Sequence, residues 1–195
     1  MKQLLVGALL GFTSLSTFAN DGYFTGEFLL GSTTQEIEGD DGDDTSFGLR
    51  GTYNINPNVG LELSYQNHGE ADWTYIDAFG NTINEKSATD SFNLGIKGVL
   101  PLQHGFSLNA RLGISFWNVD LDATDSSVPG VTFSGSDSGN DIYYGIGGQY
   151  AVNDKFSIGL EYTLAEFGVS PDGDYNGISA DLELNTLALT AGLKF

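Results

Sequence analysis

"FSLNARLGISF", Phe106–Phe116, decides how this chain folds. Phe106, Leu108, Ala110, Leu112, Ile114 and Phe116 take alternate positions, against Ser107, Asn109, Arg111, Gly113 and Ser115. A period of two puts the two sets on opposite faces of a strand, where a helix would mix them. One face suits an apolar medium along its whole length and is aromatic at both ends. The other carries Arg111, which is stable only in water or beside a counter-charge.

The pattern recurs outward from this stretch. In the strand before it, Phe92, Leu94, Ile96 and Leu100 oppose Asn93, Gly95 and Lys97. Further on, Phe156, Ile158, Leu160, Tyr162 and Leu164 oppose Ser157, Gly159, Glu161 and Thr163. Eight stretches alternate in this way, near Tyr23–Thr33, Thr45–Ile55, Val59–Gly69, Ser91–Leu100, Phe106–Asp120, Asp141–Val152, Phe156–Phe167 and Ser179–Phe195. Each apolar face is about ten residues long, enough for a tilted strand to cross hydrocarbon.

The connections alternate in length. Asn54–Asn58, Pro101–Gly105 and Asn153–Lys155 are short and rich in turn formers. Thr34–Asp44, Glu70–Asp90, Leu121–Asn140 and Gly168–Ile178 are long and read as loops of Asp, Gly, Ser and Asn. Long loops at one end, with tight turns and both termini at the other, are the layout of an outer-membrane barrel. Tyr53, Tyr65, Phe92, Phe106, Phe116, Tyr150, Phe156 and Phe195 stand near strand ends, as interfacial girdles require.

A water-soluble β-sandwich or lipocalin-like barrel would turn the same apolar faces inward. The charged face decides between the two. It holds Glu27, Arg50, Glu62, Lys97, Arg111, Glu161 and Lys194, so bases concentrate in the strands while most acids collect in loops. A solvated face has no reason to sort charges like this, whereas a narrow lumen must pair them. The chain therefore reads as an all-β, eight-stranded antiparallel up-and-down transmembrane β-barrel, with those seven residues as a lumen charge network. The closing stretch Thr186–Phe195, "TLALTAGLKF", is expected to be the strand that seals the barrel against the first.

Met1–Ala19 has Lys2, the apolar run Leu4–Phe12 and the small-residue stretch Thr13–Ala19, which reads as a secretory signal peptide cleaved after Ala19. Residues 20–195 then form one barrel domain. Loss of Lys2 takes the formal net charge from −19 to −20, which excludes electrostatic binding of nucleic acid. The absence of cysteine excludes disulfides, thiol nucleophiles and thiolate metal sites.

The stretches "YYGIGGQYAVNDKFSIGLEYTLAEFG" (Tyr143–Gly168) and "LTAGLKF" (Leu189–Phe195) complete a layout that resembles the small eight-stranded outer-membrane barrels, the OmpA-type transmembrane domain and its OmpX/Ail-like relatives. The resemblance implies several things. Phe195 would be the signal by which the barrel-assembly machinery recognises the chain for insertion. The interior charges would plug or gate the lumen. The surroundings would be outer-membrane lipid and lipopolysaccharide. A cell-wall tether is not expected, because the peptidoglycan-binding domain of longer OmpA proteins does not follow.

Three further patterns bear on chemistry. "DGDYNGISADLE" (Asp172–Glu183) fits a calcium-loop spacing, with Asp172, Asp174 and Asn176 as monodentate ligands, Gly177 at the turn and Glu183 as the bidentate one. Tyr175, Ser179 and the lack of flanking helices depart from that pattern, which Asp- and Gly-rich hairpin loops also match by chance. "EIEGDDGDD" (Glu36–Asp44) has six acids in nine residues, either a solvated loop or one that divalent cations bridge to lipid phosphates. His68, near Glu70 and Asp72, and His104, in a short turn, do not suggest a catalytic site. No cofactor other than calcium is implied. The function expected is that of a non-enzymatic integral outer-membrane protein, structural or presenting acidic loops to extracellular ligands. The alternative is a narrow porin-like channel for small solutes.

Overall fold

The computed structural model describes residues 24–37, 39–175, 177 and 179–195, so the expected signal peptide lies outside the described residues. Eight strands follow in order: β1 (Phe24–Ile37), β2 (Asp40–Asn56), β3 (Val59–Ile76), β4 (Thr82–Pro101), β5 (Phe106–Asp125), β6 (Thr132–Ala151), β7 (Phe156–Val169) and β8 (Ala180–Lys194). Each pairs antiparallel with its neighbours in sequence, and β8 returns to β1 to close a barrel. Over the length where all eight strands pair, closure leaves no backbone edge facing lipid, where an unpaired N–H or C=O could not be satisfied.

The parity of the sequence is the parity of the barrel. Leu112 is 60 % exposed and Ile114 45 %, while Arg111 and Ser115 on either side of them are 4 % and 1 %. Large apolar side chains thus cover the outside, in a belt bounded by aromatics. Near the short turns the rings of Phe106 and Tyr150 pack tilted at 4.8 Å, and at the far side of the belt those of Tyr65 and Phe92 do so at 5.1 Å. A water-soluble barrel would have the opposite arrangement.

Three expected loops are paired strand. β3 and β4 stay paired as far as Ile76↔Thr82, with one bulge between Asn67 and Glu70, β5 and β6 as far as Thr124↔Thr132, and β1 and β2 as far as Ile37↔Asp40. Only residues 77–81, 126–131 and the tip of the first hairpin connect them. β4, with 20 residues, is about 65 Å long at 3.3 Å per residue, well beyond what a tilted strand needs to cross about 30 Å of hydrocarbon. Outside hydrocarbon the outward face has no need to be apolar, so alternation fades from the sequence although the ladder continues. Side chains across the strands hold these extensions instead: the Thr74 hydroxyl donates to the Asn84 side chain (2.9 Å) and the Tyr75 hydroxyl to Glu85 (3.1 Å). The fourth loop is irregular, with one 3₁₀ turn at Gly173–Tyr175.

Above the belt the faces exchange character while β5, β7 and β8 keep their parity; on β3 a bulge between Asn67 and Glu70 shifts it, so that Ala71 follows His68 on the inner face. Outward positions become Asn118, Asp120 and Asp122 on β5, all exposed. Inward positions become Trp117, Val119, Phe167, Val169, Leu182 and Leu184, a buried apolar cluster with Ile37, Leu121 and Ala165 packed against it. Trp117 stacks on Phe167 at 5.2 Å and 14°. The lower barrel is built for lipid and the upper barrel for water.

Candidate functional site in the lumen

Six charged residues meet inside the lower barrel because each lies between neighbours that face the belt. Glu27 precedes Phe28, Arg50 follows Leu49, Glu62 stands between Leu61 and Leu63, Lys97 follows Ile96, Arg111 precedes Leu112 and Glu161 stands between Leu160 and Tyr162. The register places Glu27 opposite Arg50, but it also places Lys97 directly opposite Arg111. Two like charges side by side oppose strand pairing unless acids come between them. The acids come from β1, β3 and β7.

Arg50 meets Glu161 at 2.6 Å and Glu27 at 3.3 Å. Arg111 meets all three acids: Glu161 at 2.7 Å, Glu62 at 3.0 Å and Glu27 at 3.7 Å. Lys97 reaches Glu27 at 3.5 Å and Glu62 at 4.0 Å, the loosest member of the set. The six side chains are at most 6 % exposed. Neutral groups satisfy remaining lone pairs: the Thr52 hydroxyl donates to Glu62 (3.0 Å), the Gln149 amide to Glu27 (3.2 Å) and the Thr163 hydroxyl to Glu161 (3.1 Å). Three bases balance three acids, which is the condition for burying charge at all.

Two further layers lie above. Gly113 pairs with Tyr143 and Arg111 with Gly145, so Tyr143 stands one inward position above Arg111. It lies on bare backbone: a Cβ built on Gly113 would stand 2.6 Å from the Tyr143 ring, and one on Gly95 would clash with its hydroxyl. Next come neutral pairs, with His68 Nε2 and the Ser91 hydroxyl at 3.0 Å and Gln35 accepting from Ser87 and Thr89 at 3.2 and 2.9 Å. The apolar cluster around Trp117 packs across the upper barrel above them.

Lys194 does not join the network. Its position on β8 is inward by parity but at the open mouth, where it is exposed, and among the described residues it makes no ion pair. Water solvates an ammonium there, so nothing draws it inside. Phe195 closes the seam by its backbone, its N–H donating to the Phe24 carbonyl at 2.8 Å.

The described members of the calcium spacing, Asp172, Asp174 and Glu183, do not come together. Asp174 accepts from the Ser134 N–H (3.0 Å) and the Asp172 N–H donates to the Ser136 carbonyl (3.0 Å), which binds this loop to β6. Glu183 is held on the outward face of β8, where an extended strand cannot curl its twelfth position back to the first. Asn176 lies outside the described residues. Among the described residues no three Asp, Glu or His side chains converge as a metal site. In the acidic hairpin, Asp44 accepts from the Thr45 and Glu70 N–H groups at 2.6 and 2.7 Å. Glu38 lies outside the described residues. His68 points inward, away from Glu70 and Asp72, which pair with Lys86 outside at 2.5 and 3.2 Å. His104 is exposed, in a turn where it and Gly105 both take positive φ (59° and 80°).

Sequence reasoning missed Tyr143 and the apolar cluster. Tyr143 was within reach of the parity argument, since Ile142 and Tyr144 face outward on either side of it. Trp117, Val119 and Leu121 likewise continue the parity of Arg111.

A closed barrel with an apolar exterior and paired charges within is the architecture of outer-membrane proteins. The chain belongs to the outer membrane protein beta-barrel domain family, whose sequence profile matches residues 5–195. It is 28 % identical to outer membrane protein A of Shigella flexneri over 149 residues, which cover 76 % of this chain and 39 % of that protein. The chain therefore spans well under half the length of that relative. Among solved structures it is similar to Neisserial surface protein A, with a TM-score of 0.59 and 12 % identity over 88 % of this chain and 97 % of that one. It is also similar to Ail of Yersinia pestis, with a TM-score of 0.52 and 20 % identity over 88 % and 98 %. These two likenesses show the fold. The protein is an outer-membrane β-barrel.

Proposed function

We propose that the protein is a plugged, non-enzymatic barrel that anchors paired, acidic hairpins above the membrane for structural or surface-interaction roles. One observation carries this reading: three buried bases and three buried acids fill the lower lumen as one neutral, hydrogen-bonded set. An eight-stranded barrel is only wide enough for side chains to fill. The cluster around Trp117 packs over the same path. The hairpins stand in water on their own cross-strand bonds, with Asp, Asn and Ser facing out.

The test is solute entry into vesicles. Vesicles carrying the refolded protein are expected to swell in small sugars no faster than empty ones. Swelling at a rate that rises with protein content would overturn the reading. A second reading, a narrow gated path, draws support from Lys97, whose contacts at 3.5 and 4.0 Å are looser than those of either arginine's best pair.

A further inference from the structure

The β6–β7 seam is zipped only in its lower part. Its ladder runs from Ala151↔Ser157 to Tyr143↔Ala165 and stops. Beyond it, residues 132–142 of β6 have β5 as their strand partner on one side, and residues 166–169 of β7 have β8. The connection after β7 comes back to the free edge only higher up. There the Ser170 N–H donates to the Asp137 carboxylate (2.6 Å) and the Asp172 N–H to the Ser136 carbonyl (3.0 Å). Beside the open seam, below this cover, the outer face carries a groove of about 530 Å³ that reaches across β7 to Glu183 and Asn185 of β8.

Its walls differ by height. Ile142, Tyr144 and Leu164 form the lower part and Asp141, Glu166 and Glu183 the upper rim. This is the level at which outward positions turn from apolar to polar, from Ile142 to Asn140, Leu164 to Glu166 and Leu187 to Asn185. In the membrane the lower wall meets hydrocarbon and the rim meets head groups.

The rim is also electrostatically unbalanced. Glu183 is in register with Glu166 on one side and with Glu36 on the other, so three glutamates stand abreast on the outer face. Like charges directly opposite weaken a sheet. Among the described residues none of the three has an ion pair, although Glu70 and Asp72 on β3 share Lys86. A cation from outside the protein would relieve this repulsion where the apolar wall begins.

We propose that the open upper seam between β6 and β7 binds a cationic amphiphile from the outer leaflet. Its alkyl chain lies along Ile142, Tyr144 and Leu164, and its amine or quaternary ammonium head sits beside Glu166 and Glu183 on the outer face. The site lies on the barrel's outer wall and does not depend on whether the lumen is plugged.

Trp117 reports on it directly, because its indole N–H donates to Asp141 at 2.9 Å behind the rim. The chain has two tryptophans, so Trp73→Phe leaves Trp117 as the single emitter. The Trp73→Phe protein in phosphatidylcholine vesicles is titrated with a brominated dodecyl chain bearing a trimethylammonium, a zwitterionic or a sulfate head, the last with and without Mg²⁺. The trimethylammonium probe is expected to quench saturably, with a midpoint about tenfold below that of the zwitterionic probe. Adding Glu166→Gln and Glu183→Gln should bring the two midpoints together, while Asp154→Asn, in a turn at the opposite end, leaves them apart. The head-group series on the parent protein tests the proposal even if the double variant fails to fold. Unsaturable quenching independent of the head would overturn it, as would quenching by the sulfate probe only with Mg²⁺, which would make the rim a divalent-cation bridge to anionic lipid.

Discussion

Arg111 touches every interior carboxylate, at 2.7, 3.0 and 3.7 Å. Removing its guanidinium leaves three acids with two bases in a space that admits little water. Breaking a buried pair from one side costs about 3–5 kcal/mol, because the surviving charge stays buried and unpaired. Arg111→Ala is therefore expected to destabilise the barrel by about that amount in urea unfolding from vesicles. Lys86→Ala, whose partners Glu70 and Asp72 are half or more exposed, should leave it almost unchanged, because water screens an exposed pair. Equal effects would mean that Arg111 is solvated. The inward place of Arg111 was legible in the sequence, because a base among alternating apolar residues has only one face to occupy. That of Lys194 was not: parity gives the face but not the height, and at the mouth the inward face is already wet. Tyr143 shows the complementary limit, since its seat is made by Gly95 and Gly113 on two other strands and appears only when register is known.

At the scale of elements, strand number and the three tight turns were legible, because belt residues must alternate and turns need Asn, Gly and Pro. Strand length was not, since beyond the belt only the backbone ladder and pairs such as Thr74 with Asn84 keep the chain extended. The difference has a consequence for proteolysis. A protease needs several residues of unpaired chain, which the upper strands do not offer. Phe79, 90 % exposed at the β3–β4 tip, should be cut by chymotrypsin on intact cells, whereas trypsin should spare Lys86, paired with Asp72 in the ladder. Lys155, in a short turn, should become a trypsin site only after the outer membrane is opened. Cleavage at Lys155 with that membrane intact would invert the orientation.

For the molecule as a whole, the lumen changes from charged to neutral polar to apolar along its axis, while the outside changes from apolar to polar. The first half of that inversion follows from charge sorting in the sequence. The second was hidden because Trp117, Val119 and Phe167 keep the parity of the charged positions and differ only in height. Both halves make the lumen a filled interior with almost no net charge, and this is the central claim. Single-channel current in planar bilayers tests it most directly, wild type against Lys97→Ala. Lys97 is the loosest member of the network, and its loss leaves two bases facing three acids. The wild type should conduct very little. The variant should conduct more, with a preference for cations, because the lumen then carries net negative charge. A large, steady wild-type current that Lys97→Ala leaves unchanged in size and selectivity would contradict a plugged barrel.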